Sequence, residues 1–177
     1  MKYIKLLLPL IFLTLFATKS FSADTVAVLD VRELLKNSKA AIAMKDQLNA
    51  VAKKYTEEDQ KQQKSIQKKE EELLRQKSTL TPEAFSDRKN AFEKTVIEFN
   101  KSSNAKRKAL AQAEKDAINQ IEDEVEKIVK QISETDKISA VIRKSAIILS
   151  DPTLDITQKV VDELNKKLSS VKVNVTP

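Results

Sequence analysis

Between residues 31 and 135 the apolar positions recur at helical spacing, and no strand-like run interrupts them. The first half shows one dense face: Val31, Leu34, Leu35, Ile42, Met44, Leu48, Val51, Ala52 and Tyr55. The face then stops, and residues 56–65 contain no hydrophobic side chain. It resumes at near-heptad spacing with Ile66, Leu73, Leu74 and Leu80. A helix start follows at once. Thr81 suits an N-cap, Pro82 the first helical position, and Glu83 the positive end of the helix dipole. A residue before proline is disfavoured in helix, so the first helix should end near Thr79. The second helix places Phe85, Phe92 and Phe99 seven residues apart, with Val96 between the last two, which is an a/d seam. Residues 101–108 then read K-S-S-N-A-K-R-K, almost without hydrophobics. The seam returns as Leu110, Ala113, Ala117, Ile118, Ile121, Val125, Ile128, Val129 and Ile132.

These two helices read as one antiparallel hairpin turned at residues 79–82. Folded about Pro82, position n should face about 164 − n. The polar gap at 56–65 then faces 99–108, where the second gap is found. Val31 faces about residue 133, where the second seam ends, and a strand at 25–30 falls beside 134–139. Arms of about 50 residues are roughly 75 Å long. Such arms cannot pack on a central core of their own chain.

The flanks carry short β-favouring runs. Residues 25–30, T-V-A-V-L-D, favour a strand, and Asp30 with Glu33 offers a capping box to the first helix. Residues 138–142 and 146–149 read as two further strands joined by a tight turn at Arg143-Lys144-Ser145. After a loop, Asp155-Ile156-Thr157 should cap a short amphipathic helix bearing Val160, Val161, Leu164 and Leu168. The tail alternates as Val171, Val173 and Val175, which suits either a last strand or a frayed end. The expected fold is therefore α+β and mainly α. A long coiled-coil hairpin arm (32–133) projects from a small β-rich body (23–31 and 134–177). The apolar runs of that body are too continuous for a sheet with one wet face. So small a base should pool its strands between several copies, with Val26, Val28, Ile138, Val141, Ile147 and Leu149 as the oligomer body.

Residues 1–22 are set apart by composition. Lys2 and Lys5 precede an apolar run from position 6 to 17, and Ser20 and Ser22 fit the small positions of a cleavage site. This is a secretory signal, cut between Ser22 and Ala23 and leaving a mature chain of 155 residues. The alternative, an uncleaved anchor, would need about 20 apolar residues. An acylated anchor has no cysteine to use.

The chain has no Cys, no His and no Gly. An exported protein is thus folded without disulfides. Thiolate and imidazole metal sites are impossible, as is His- or Cys-based nucleophilic catalysis. Neither a P-loop nor a dinucleotide-binding turn can be built without glycine. A carboxylate pair or a Ser–Lys dyad stays formally open, but chance pairs abound in a chain that is 33% charged. The reading is a non-enzyme without cofactors.

Charge is unevenly spread. Residues 50–115 carry 16 basic and 11 acidic side chains, a net +5, against 13 and 15 in the rest of the mature chain. Lys68, Lys69, Arg75, Lys77, Arg88, Lys89, Lys106, Arg107 and Lys108 carry most of this excess and are the candidate client- or lipid-facing cations. Such an arm would attract acidic clients and anionic lipid head groups. Nucleic acid is a poor match, because aromatic stacking platforms are lacking and the mature charge is near balance.

The order of these parts resembles a known family. A signal peptide, a V-A-V-L-D strand, two long charged helices, an I-x-x-V-I strand, and Asp155-Ile156-Thr157 followed by Val160-Val161 and Leu164-Asn165 are similar to the Skp/OmpH family of periplasmic chaperones. The resemblance covers the whole mature chain and is most specific at 138–165. It implies a periplasmic homotrimer whose three hairpins enclose a cavity. It implies an ATP-independent holdase for unfolded outer-membrane β-barrel proteins, with lipopolysaccharide as a further partner. A structural coiled-coil scaffold of the envelope, without client holding, is the alternative. The lack of glycine departs from what the turns of such a body would be expected to use.

Overall fold

The computed structural model describes residues 25–177. The expected signal segment and its cleavage site lie outside the described residues. Strand β1 (Thr25–Leu29) leads into a short helix α1 (Val31–Asn37), then into the long helices α2 (Lys39–Gln76) and α3 (Pro82–Asp136). Strand β2 (Ile138–Arg143), two 3-10 turns and helix α4 (Thr157–Lys167) complete the body.

The hairpin forms as its capping residues require. The Thr81 hydroxyl accepts from the Ala84 N–H, and Pro82 opens α3. The register is the one expected. The Arg88 guanidinium donates to the Gln76 side chain, and Lys106 meets Glu58, both at mirrored positions about Pro82. Helix α3, at 55 residues, is about 82 Å long.

At the first arm the structure departs from one continuous helix. Ser38 takes an extended conformation between α1 and α2, and its hydroxyl accepts from the Ala41 N–H. Asn37 and Ser38 both compete with helix through local hydrogen bonds, so a break falls there at little cost. The kink also frees the Lys39 N–H, which donates to Asn165 Oδ1 on α4 at 2.8 Å. Asp30 caps α1 as expected, through the Glu33 N–H. The reciprocal half of the capping box is replaced: the Asp30 N–H donates to Thr157 Oγ1 at 2.8 Å.

The sheet has two parallel strands among the described residues, with Val26 opposite Ala140 and Val28 opposite Ile142. The pairing begins about four residues later than the fold line suggested, because α3 runs on to Asp136. Lys137 then turns the chain directly into β2, in the left-handed conformation at φ 56° and ψ 43°. In a chain without glycine a lysine bears that strain. The far edge of β1 is closed by the loop before α4: the Ile156 N–H donates to the Val28 carbonyl at 2.9 Å. Three successive residues, Ala27, Val28 and Leu29, are consequently buried.

The second expected strand of the pair, 146–149, does not form. Lys144–Ala146 is a 3-10 turn, and Ile148 and Leu149 stand fully or almost fully exposed at 106% and 89%. The segment leaves β2 through the 3-10 turn and, among the described residues, joins neither strand of the sheet. The tail is neither strand nor frayed end. Val171 is buried in the core, and Val173 packs against it.

The core sits at the root of the hairpin. Leu34, Ala40, Ala41, Met44, Ala117, Ile121, Ile128, Ile132, Val160, Val161 and Leu164 form one cluster. From there to the tip the packing changes: between Met44 and Ala113 no residue is buried.

Candidate functional site

The distal arm is the surface that the sequence singled out, and two features there and one on the body make up the candidate site. The first is a shallow groove near the tip. Leu73 from α2 and Phe92 from α3 make its apolar part, and Lys69 and Arg88 bring one cation from each helix. Glu72, Gln76, Ala91 and Thr95 complete its walls. A second groove one heptad further in repeats the plan with Ile66 and Phe99 beside Lys69. The spaced phenylalanines are thus seam residues, half-buried where the helices meet. Leu74 and Ile97, at 63% and 65% exposed, point away from the seam and leave large apolar side chains on the arm surface.

The second feature lies where the two polar gaps face each other. Ser103 Oγ donates to Asp59 Oδ2 at 2.7 Å, and Lys106 Nζ donates to Asp59 Oδ1 at 2.8 Å. Lys106 also pairs with Glu58 at 2.9 Å and lies 5.2 Å from the centre of the Tyr55 ring. Its side chain is only 12% exposed. The gap is therefore filled, by a polar clamp between the helices in place of apolar knobs. The hydrogen bonds from Lys106 and then Ser103 hold the Asp59 carboxyl below its ordinary range. The hydrogen bonds to Asp59 and then Glu58 push the Lys106 ammonium up.

That geometry corrects one of the nine candidate cations. Lys106 faces its own partner helix and is no outward contact. The other eight, Lys68, Lys69, Arg75, Lys77, Arg88, Lys89, Arg107 and Lys108, are exposed. Lys89 pairs along its helix with Glu93 at 3.5 Å, and Arg107 donates to Asn104 at 2.7 Å. The clamp was missed in the sequence because Glu58 and Asp59 were read only as part of a gap. Their mirrored positions, 106 and 105, point straight at the lysine that meets them.

The third feature is the outer side of the body. Of the residues expected to join copies, Val28 is fully buried within the chain, at 1% exposed. Val26, Ile138, Val141 and Ile147 are half-buried, and Leu149 is free in solvent with Ile148. The tripeptide Asp155-Ile156-Thr157 works inside the chain as a junction. Asp155 Oδ1 accepts from the Thr157 N–H, and Lys144 Nζ donates to Asp155 Oδ2 at 2.9 Å. Partial burial pushes the Asp155 carboxyl up, but the bonds from Thr157 and Lys144 outweigh it and leave it below the ordinary range. Strand, loop and α4 are fastened at this one point.

Among the described residues, a body of two strands, two short helices and the roots of two long ones carries one long hairpin without glycine, and comparison with known proteins identifies this architecture. The model of the family "Outer membrane protein (OmpH-like)" matches residues 25–164, and the chain belongs to this Skp/OmpH family. An uncharacterized protein of Aquifex aeolicus (strain VF5) is 30% identical over 159 residues, covering 87% of this chain and 93% of that protein. Among solved structures, a candidate outer membrane chaperone (OmpH-like) from Caulobacter crescentus CB15 superposes with a TM-score of 0.79. Its sequence is 16% identical, with 88% of this chain and 92% of the other covered, so the likeness is one of fold.

Proposed function

We propose that the protein is an ATP-independent holdase of the periplasm that keeps unfolded outer-membrane β-barrel chains from aggregating. The observation that carries this reading is the arm itself. It is a cationic hairpin, +5 over residues 50–115, that projects beyond its core and holds no buried residue between Met44 and Ala113. A groove with a cation from each helix over Leu73 and Phe92, a second beside Ile66 and Phe99, and the exposed Leu74 and Ile97 offer many weak contacts instead of one pocket. That suits a client without fixed shape. Steering by the eight exposed cations would draw in acidic segments and anionic lipid head groups, lipopolysaccharide among them.

The body supports assembly of copies, as a trimer by the family resemblance. A two-stranded sheet is marginal alone, and the uncovered Ile148 and Leu149 extend from it. Replacing both by Asp should convert the assembly to monomer by native mass measurement, while leaving the helical content intact.

The holdase reading is tested by light scattering. A denatured β-barrel protein is diluted into buffer with the mature chain and no nucleotide. Suppression of aggregation at about one assembly per client is expected. Unchanged aggregation in the presence of the folded chain would leave the envelope scaffold as the better reading.

A further inference from the structure

The C-terminal tail, residues 168–177, lies beyond the segment that matches the family. It is nonetheless held with care. Gln47, on the third turn of α2, presents its side-chain amide to the tail backbone. Its Nε2 donates to the Val171 carbonyl at 2.9 Å, and its Oε1 accepts from the Val173 N–H at 3.3 Å. The same nitrogen donates to the Ala43 carbonyl of its own helix at 3.2 Å, which fixes the orientation of the amide. In an extended chain the C=O of one residue and the N–H two residues on point to the same edge. One glutamine thus meets the tail backbone at two alternate residues, the pair of groups that a neighbouring strand would use.

Side-chain burial agrees. Val171 is buried, Lys172 exposed, Val173 half-buried, Asn174 exposed and Val175 half-buried. Val171 joins the core cluster, and Leu168 and Val173 pack against it. Recognition therefore uses main-chain groups and alternate apolar side chains. Nothing in it depends on the identity of the residues between.

We infer that the surface of α2 around Gln47 is a docking site for an extended peptide with apolar side chains at alternate positions, and that the tail is its resident, displaceable occupant. The partner class this fits is the strand of an unfolded membrane β-barrel, whose residues alternate in the same way. That assignment of partner rests on the holdase reading, whereas the site itself does not. The tail acts as an internal competitor, so that weak strands are refused and well-alternating ones are admitted.

The test uses the full chain and two variants, one ending at Ser170 and one full-length with Val171→Ser and Val173→Ser. Three labelled peptides are titrated by fluorescence anisotropy: the tail sequence 170–177, an alternating strand from a membrane barrel, and a peptide of the tail's composition with its valines grouped. Both alternating peptides should bind the two variants at least about tenfold more tightly than the full chain, and the grouped peptide should bind none of them. Adding Gln47→Ala to either variant should weaken binding about tenfold, through the loss of two backbone hydrogen bonds. Equal binding of alternating and grouped peptides, or equal binding with and without the tail, would overturn the site. Binding of the tail peptide alone would overturn the partner class and leave the holdase reading to its own scattering assay.

Discussion

The root of the hairpin and its distal arm are made from the same two helices, yet they are held by different forces. At the root, Ala117, Ile121, Ile128 and Ile132 of α3 are buried among Ala40, Ala41 and Met44 of α2 and the apolar face of α4. Between Met44 and Ala113 no residue is buried, although Gln47 and Leu48 still reach the tail and the edge of the core. Two helices in contact cannot bury a large residue fully, so the arm rests on half-buried phenylalanines, local helix propensity and one polar clamp. The difference separates two jobs. The root sets the direction of the prong, and the arm can bend or splay without exposing a core.

Substitutions should show this contrast in their size. Ile121→Ala removes a side chain that is 0% exposed and should cost about 2–5 kcal/mol in urea unfolding. Phe92→Ala in the arm removes more atoms but from a half-buried site, and about 1–2 kcal/mol is expected from the same measurement. Equal costs would erase the distinction between the regions. Lys137→Gly relieves the left-handed strain at the end of α3 and should raise stability by about 0.5–1 kcal/mol, seen as a higher Tm. A global effect no larger is expected at the clamp. Lys106→Met should cost about 0.5–1 kcal/mol globally, since Glu58 and Asp59 remain partly solvated, yet it should speed exchange locally around residues 55–60 and 102–107.

The clamp also has a pH signature. Asp59 is held below its ordinary 3.8 in the folded chain. Its contribution is present above that value and is lost as pH falls through the lower folded pKa. Lys106 is raised above 10.5, so its share is present below that value and is lost as pH rises through the higher folded pKa. Mid-arm protection should therefore be flat around neutrality and decline only in strong acid or strong base. In Lys106→Met the decline on the acid side should shrink.

Much of this architecture was legible because it is periodic. Thr81-Pro82-Glu83 marks a helix start inside a heptad pattern, and the mirrored polar gaps fix the register that Arg88–Gln76 and Lys106–Glu58 display. What escaped the sequence is aperiodic. The break at Ser38 is fastened across the chain by the bond from Lys39 to Asn165, and Asp30 meets Thr157 across more than a hundred residues. Such side-chain bonds to distant backbone leave no trace in hydropathy. The segment 146–149 was read as a strand from its apolar run, but a run says only that cover is wanted, not that the same chain supplies it. Lys106 was read as one more surface cation for a similar reason. Its composition gave its charge, and only the fold shows which way that charge points.

Native-state hydrogen exchange along the hairpin tests the division between root and arm most directly. Amides at residues 118–132 should open only with global unfolding. Those at 56–65 and 100–108 should exchange faster by well over tenfold, a gap of more than about 1.4 kcal/mol in opening free energy. Protection at mid-arm equal to that at 118–132 would contradict the soft prong on which the proposed holding function rests.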